Sequence, residues 1–155
     1  MSSTLGASTT RTEQSDKRRW TDVDDRSETA SDEVESALEA AQLIARNYGS
    51  VVAISGATDA IVSADQIIRV GGGAEMLTRV TGGGCALGAF LAAFVGATKT
   101  LAVTPLEAVA AGHAVYSAAG EIAQEKASGP GTFQMHFLDS LYSVSTDDLD
   151  RIPLS

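Results

Sequence analysis

The chain has 155 residues, the length of one ordinary domain, and 44% of them are hydrophobic, enough for a globular core. A net charge of −9 excludes nonspecific nucleic-acid binding, which needs clustered Lys and Arg; the one basic run, Lys17-Arg18-Arg19, is diluted by acidic neighbours. A single cysteine, Cys85, excludes an internal disulfide and any cysteine-rich metal site, in agreement with a reducing cytosol.

The first 33 residues are mostly Ser, Thr, Asp, Glu, Arg and Lys, with Leu5, Trp20 and Val23 nearly the only large apolar groups. Such a segment buries too little surface to offset its ordering entropy, and residues 1–30 read as a disordered polar tail. It has no apolar stretch after its start, so no secretory signal is expected. Asp32 followed by Glu35 reads as a cap and a balancing acid that open a helix. Val34, Leu38, Ala41 and Ala45 recur at three- to four-residue spacing and give that helix one apolar face; Asn47 and Gly49 suit its end. Val51–Ser55 is a short, nearly all-apolar run of the kind expected in a strand buried on both faces. Ala60-Ile61-Val62 and Gln66–Val70 flank Ser63-Ala64-Asp65, which reads as a β-hairpin sealing a sheet edge.

The most informative stretch follows. Gly82, Gly83 and Gly84 sit between a short apolar segment and a helix that is apolar on every side. Glycines let the backbone adopt φ > 0 and bring N–H groups close to a ligand. A helix N-terminus adds unpaired donors and the positive end of the macrodipole, so the combination makes a site for an anion, above all a phosphate. Cys85 stands in the first turn of that helix, where the dipole stabilises negative charge. The plainer alternative is a glycine turn feeding a buried helix, with Cys85 as an inert small hydrophobe. The G-x-x-x-x-G-K-[ST] loop is absent, since no lysine occurs here before Lys99, and G-x-G-x-x-G fails because Leu87 stands where its third glycine belongs. The apolar run Cys85–Ala97 falls short of the about 20 residues that span a bilayer, so a buried helix is expected.

Thr104-Pro105-Leu106-Glu107 is a capping box with proline at the first helical position. The helix it opens is expected to run to about Lys126, with Gly129 and Pro130 stopping it. Ala110-Ala111-Gly112 and Ala118-Ala119-Gly120 permit close packing against a neighbour. His113 lies among these small residues with no acid or second ligand near it in sequence, and reads as structural. Phe133, Phe137 and Leu141 mark the core face of a last helix, with His136 toward solvent. Asp147, Asp148 and Asp150 lack the D-x-D-x-D-G pattern of a calcium loop and read as a solvated acidic tail, so no metal site is expected.

Val80-Thr81-Gly82-Gly83-Gly84-Cys85 closely resembles the V-T-G-T-G-C anion-hole motif of the hydroxyethylthiazole kinases, a branch of the ribokinase-like kinases. Ser36–Ala41 and Val51–Gly56 resemble that family's helix and following strand. Ala127–Gln134 and Phe137–Tyr142 resemble its terminal G-P-G-S-F-Q and F-L-D-A-L-Y segments, so the matches run in order from about Ser31 to Tyr142. Gly83 departs from the family's threonine, and Gly71-Gly72-Gly73-Ala74-Glu75 stands in place of N-G-H-P, which suggests a floppier connector.

The resemblance implies an α/β, partial ribokinase-like fold: a central sheet with a β-hairpin, packed by α-helices. Residues 31–155 would form the C-terminal, ATP-binding and anion-hole half of a thiazole-kinase domain, the N-terminal half being absent from the match. The implied reaction is ATP-dependent phosphorylation of 4-methyl-5-(2-hydroxyethyl)thiazole in thiamine salvage, with ATP and Mg²⁺ as cofactors. By the same resemblance Ser55, Gly83 and Gly84 contact ATP and Gly82 lies at the thiazole alcohol. Cys85 takes the catalytic place where most ribokinase-like enzymes carry an aspartate base. The family's trimers, with sites at subunit boundaries, imply a homo-oligomer; the acidic charge, the short apolar run and the single cysteine add the expectation of a cytoplasmic protein with no nucleic-acid or membrane partner. The alternative is a catalytically inactive half-domain acting as a nucleotide-binding or interaction module. In either case the sheet holding Val51–Ser55 would carry an unpaired edge.

Overall fold

A computed structural model describes residues 25–155; the part of the expected polar tail before Asp25 lies outside the described residues. The elements in order are α1 (Asp25–Tyr48), β1 (Val52–Ile54), β2 (Asp59–Val62), β3 (Ile67–Val70), a 3₁₀ helix (Glu75–Arg79), α2 (Gly83–Ala97), α3 (Pro105–Lys126), α4 (Pro130–Ser143) and a second 3₁₀ helix (Asp147–Arg151). α1 begins at Asp25 and not at the Asp32 cap, because Arg26–Glu33 holds neither the glycine nor the proline that would stop a helix there.

The three strands form an antiparallel meander in the order β1-β2-β3, with Val52 opposite Val62 and Ile61 opposite Ile68. Because side chains alternate along a strand, each face takes a different helix. Val52, Ile54, Ala60, Val62 and Ile67 meet Val34, Leu38 and Ala41 of α1. Ile61, Ile68 and Val70 meet Leu106, Val109, Ala110, Ala114 and Ala118 of α3. An ion pair from Arg69 to Glu35 ties β3 to α1. The hairpin expected around Ser63-Ala64-Asp65 is present, closed by Ser63, whose hydroxyl and amide both bond Gln66.

The sheet's two edges are treated differently. The outer edge of β3 is paired with the chain's own end: Arg69 and Ser155 exchange backbone bonds of 2.7 and 3.1 Å, and Gly71 donates to Pro153 O at 2.9 Å. β1 has β2 as its one strand partner among the described residues, and its residues are half-buried or exposed. The expectation of a strand buried on both faces is therefore corrected. An all-apolar run reads alike in a central strand and in an edge strand whose outer neighbour is elsewhere.

α3 is the spine. Thr104 closes both halves of the expected capping box, accepting from the Glu107 amide at 3.2 Å while its own amide donates to Glu107 Oε2 at 2.7 Å. On the side away from the sheet, Tyr116, Ala119 and Ala123 pack with Phe133 and Phe137 of α4 and with Leu87 and Phe90 of α2. Phe90, Tyr116, Phe137 and Phe133 form a run of ring contacts in that order, the Tyr116–Phe137 pair edge-on at 4.7 Å. His136, expected at the solvent, is half-buried.

Two further expectations change. α2 is the most apolar helix, yet none of its residues is buried: Leu87, Phe90, Leu91 and Phe94 are only half-covered, and Cys85, Ala89, Ala92 and Ala93 face outward. The acidic segment at the end is no solvated tail. Asp148 closes the preceding turn by accepting from the Ser145 amide and hydroxyl, Arg151 pairs with Glu125, and Ile152 is buried against α3.

Candidate functional site

The glycine loop takes its shape from one residue. Gly82 is the N-cap of α2 with φ +88°, a left-handed conformation that a side chain resists. The first helical bond runs from Ala86 N to Gly82 O at 2.8 Å, and no side chain caps this end. Gly83 is partly engaged already, its amide reaching Val80 O at 3.4 Å. The amides of Gly84 and Cys85 therefore lie in an uncapped first turn, at the positive end of an apolar helix. Cβ atoms added at Gly82 or Gly84 would meet nothing within 4 Å, so this turn opens onto free space. At Gly83 a Cβ would lie 3.1 Å from the Leu77 carbonyl, which is why the threonine of the resembling motif would crowd this backbone. Cys85 is a free, exposed thiol in the same turn.

The loop is held from behind. The Tyr116 hydroxyl on α3 donates to Gly83 O at 2.7 Å, and burial pushes that phenol above its ordinary pKa, so it stays a donor through neutral pH. The connector Gly71–Glu75, expected to be floppy, is pinned: Gly73 N donates to Glu121 Oε1 at 3.0 Å, and added Cβ atoms at Gly71 and Gly72 would lie 2.6 Å from Pro153 and Glu121.

Ser55 follows β1, exposed, at the start of the turn into β2. Its neighbour Gly56 donates its amide to Asp59 Oδ1 at 2.9 Å, and Asp59 Oδ2 lies 2.7 Å from His113 Nδ1 on α3. Sequence reasoning missed this pair. His113 does have an acid, 54 residues away, and only the packing of β2 on α3 brings them together. Gly82, Gly83, Gly84 and Cys85 thus form one contiguous loop, and Ser55 belongs to a second segment that is joined to it through α3. Among the described residues no three His, Cys, Asp or Glu gather as metal ligands. A surface hollow of about 460 Å³ is lined by Glu39, Ala40, Gln42, Leu43 and Arg46 of α1 and contains none of these residues.

A helix-flanked sheet beside a glycine-capped helix N-terminus is the layout of part of a ribokinase-like kinase, an α/β fold that matches the architecture expected from the sequence. The profile of the hydroxyethylthiazole kinase family matches residues 19–147. The chain is 53% identical over 115 residues to the hydroxyethylthiazole kinase of Corynebacterium glutamicum (strain R), a span covering 74% of this chain and 43% of that relative. Against the hydroxyethylthiazole kinase of Clavibacter sepedonicus it is 48% identical over 118 residues, or 76% and 42% of the two chains. It is also similar to the solved structure of the hydroxyethylthiazole kinase protein from Pyrococcus horikoshii OT3, with TM-score 0.70 and 29% identity over 83% of this chain and 49% of that one. The chain belongs to the hydroxyethylthiazole kinase family, and it spans less than half the length of these relatives.

Proposed function

We propose that residues 31–155 are the nucleotide-binding half of a hydroxyethylthiazole kinase, which transfers the γ-phosphoryl group of ATP to the alcohol of hydroxyethylthiazole. The observation that carries this reading is the left-handed cap at Gly82, which leaves the first-turn amides of α2 uncapped and open in a chain of this family. Phosphoryl transfer needs little covalent help from a protein; positioning and stabilisation of charge on the transferred group dominate. Amides at a helix N-terminus do this without reorganising, and Gly84 and Cys85 supply them, with Gly83 contributing the backbone that carries them. The Ser55 hydroxyl is the second contact for ATP, and Gly82 lies at the thiazole alcohol.

In the transfer, the alcohol oxygen forms its bond to the γ-phosphorus, the bond from that phosphorus to ADP breaks, and the alcohol proton leaves. Cys85 is the group placed to orient that alcohol or take its proton. Mg²⁺ is ordinarily held by nucleotide phosphates with few protein ligands, and it would neutralise phosphate charge when bound. A reaction that draws on ATP fits a cytoplasmic protein.

The reading also calls for covering polypeptide. The outer edge of β1, the outer face of α2, and Met135, Leu138 and Tyr142 on α4 are exposed apolar surface, the kind that marks interaction faces. A homo-oligomer or a separate N-terminal partner chain would supply that cover. The test is a coupled assay for thiazole-dependent ADP release. It is run on the chain alone and with the part of the C. glutamicum relative that precedes the matched region added as a separate chain. Release that depends on thiazole in either arm supports the reading; release in neither arm contradicts it.

A further inference from the structure

One turn of α3 carries two buried polar side chains, and each reaches a different segment of the candidate site. His113 is 1% exposed and faces Asp59 Oδ2 through Nδ1, while the other Asp59 oxygen accepts the Gly56 amide beside Ser55. The carboxylate partner puts the ring proton on Nδ1. Nε2 is buried and has no partner among the described residues. A buried polar atom left unpaired costs stability that an apolar side chain of similar size would not. What the histidine adds in exchange is its Nδ1 donor, which holds Asp59 and through it the Ser55-Gly56 turn.

Tyr116 stands three residues further along α3, the spacing at which helix residues are surface neighbours. It is 5% exposed, locked among Phe90 and Phe137, and its hydroxyl grips the Gly83 carbonyl. We propose that His113 and Tyr116 are positioning residues for nucleotide binding: they fasten the Ser55-Gly56 turn and the Gly82–Cys85 loop to one turn of α3 and so set the spacing at which both segments hold a single ATP. Neither side chain touches the nucleotide; both act through the backbone they hold. The proposal rests on the reading of this chain as ATP-binding, and the amide readouts below test the two tethers without nucleotide.

The experiment uses the full chain with MgATP as probe. His113→Leu removes the donor at comparable volume, His113→Asn returns an N–H near the Nδ1 position, and Tyr116→Phe removes one oxygen atom from an otherwise unchanged ring. In the nucleotide-free protein, His113→Leu is expected to shift the Gly56 amide resonance and leave those of Gly84 and Cys85 in place; Tyr116→Phe is expected to do the converse. Each raises the Kd for MgATP about five- to tenfold, the effect of one ordinary hydrogen bond. His113→Asn restores the Gly56 resonance and brings the Kd to within about twofold of the parent. Should His113→Leu fail to fold, Tyr116→Phe carries the test alone. Parent-like MgATP affinity in the folded variants overturns the proposal and leaves the kinase reading standing. Unchanged Gly56 and Gly84 resonances reduce both side chains to core packing. A parent chain that binds no MgATP overturns the kinase reading and this proposal together.

Discussion

The three glycines of the loop differ in what the backbone asks of them, so alanine at each should give a different sign. Gly82 sits at φ +88° with open space around a would-be Cβ, and its cost is purely conformational. Placing an L side chain in the left-handed region costs about 1–2 kcal/mol, so Gly82→Ala should lose that much stability. Gly84 lies inside α2 with nothing within 4 Å of an added Cβ, and alanine there gains about 0.5–1 kcal/mol over glycine. Gly83 is also helical, but its Cβ would press on the Leu77 carbonyl at 3.1 Å, a backbone atom that cannot rotate away, so the helical gain is cancelled. Urea unfolding followed by circular dichroism, with a constant m-value, should rank Gly84→Ala above the parent, Gly83→Ala at or below it, and Gly82→Ala lowest. Gly84→Ala should also weaken MgATP binding, because its methyl enters the open turn that the phosphates would occupy. A variant that is more stable and binds worse separates the loop's function from its contribution to folding. Gly82→Ala with parental stability would refute the left-handed cap on which the site is built.

Other outcomes follow from the same geometry. In the coupled assay with the N-terminal part supplied, Cys85→Ala should lower turnover about 10²–10⁴-fold while Cys85→Asp retains or raises it; equal rates for Cys85→Ala and the parent would make Cys85 packing only. Phe133 is fully buried and stacked on Phe137 at 5.8 Å, so Phe133→Ala should cost about 3–5 kcal/mol in urea unfolding. The backbone and hydroxyl of Thr104 hold the Glu107 carboxyl below its ordinary pKa. A depressed folded value means that its stabilisation is complete above the unfolded carboxylate pKa of about 4.3 and is lost as pH falls through the folded value. The acid limb of a pH–stability profile should therefore be shallower in Glu107→Gln than in the parent.

Features written in local chemistry were legible in the sequence. The capping box at Thr104, the Ser63 hairpin turn and the Phe133–Phe137 face of α4 each depend on neighbours within one turn, and each is present. Burial was legible only where the covering element lies among the described residues. Val51–Ser55 and the helix after the glycines have the composition of interior elements, yet the described residues leave them half-open; composition records a tendency to be buried without recording which polypeptide provides the cover. The pair of His113 with Asp59 carried no local signal, since it depends on β2 packing across α3. A signal did exist in the acidic end. Ser145 and Asp148 have the three-residue spacing at which a carboxylate can close a turn, and Asp148 accepts from Ser145 at the start of the 3₁₀ helix that Ile152 docks on α3.

The proposed nucleotide site joins two segments distant in sequence, the Ser55-Gly56 turn and the Gly82–Cys85 loop. Amide resonances followed during a titration of the full chain with MgATP test it most directly. The Ser55, Gly56, Gly84 and Cys85 signals should move together along one saturation curve with a shared Kd. Signals at Gly82–Cys85 that stay unchanged at millimolar MgATP, or that move while Ser55 and Gly56 do not, would contradict it.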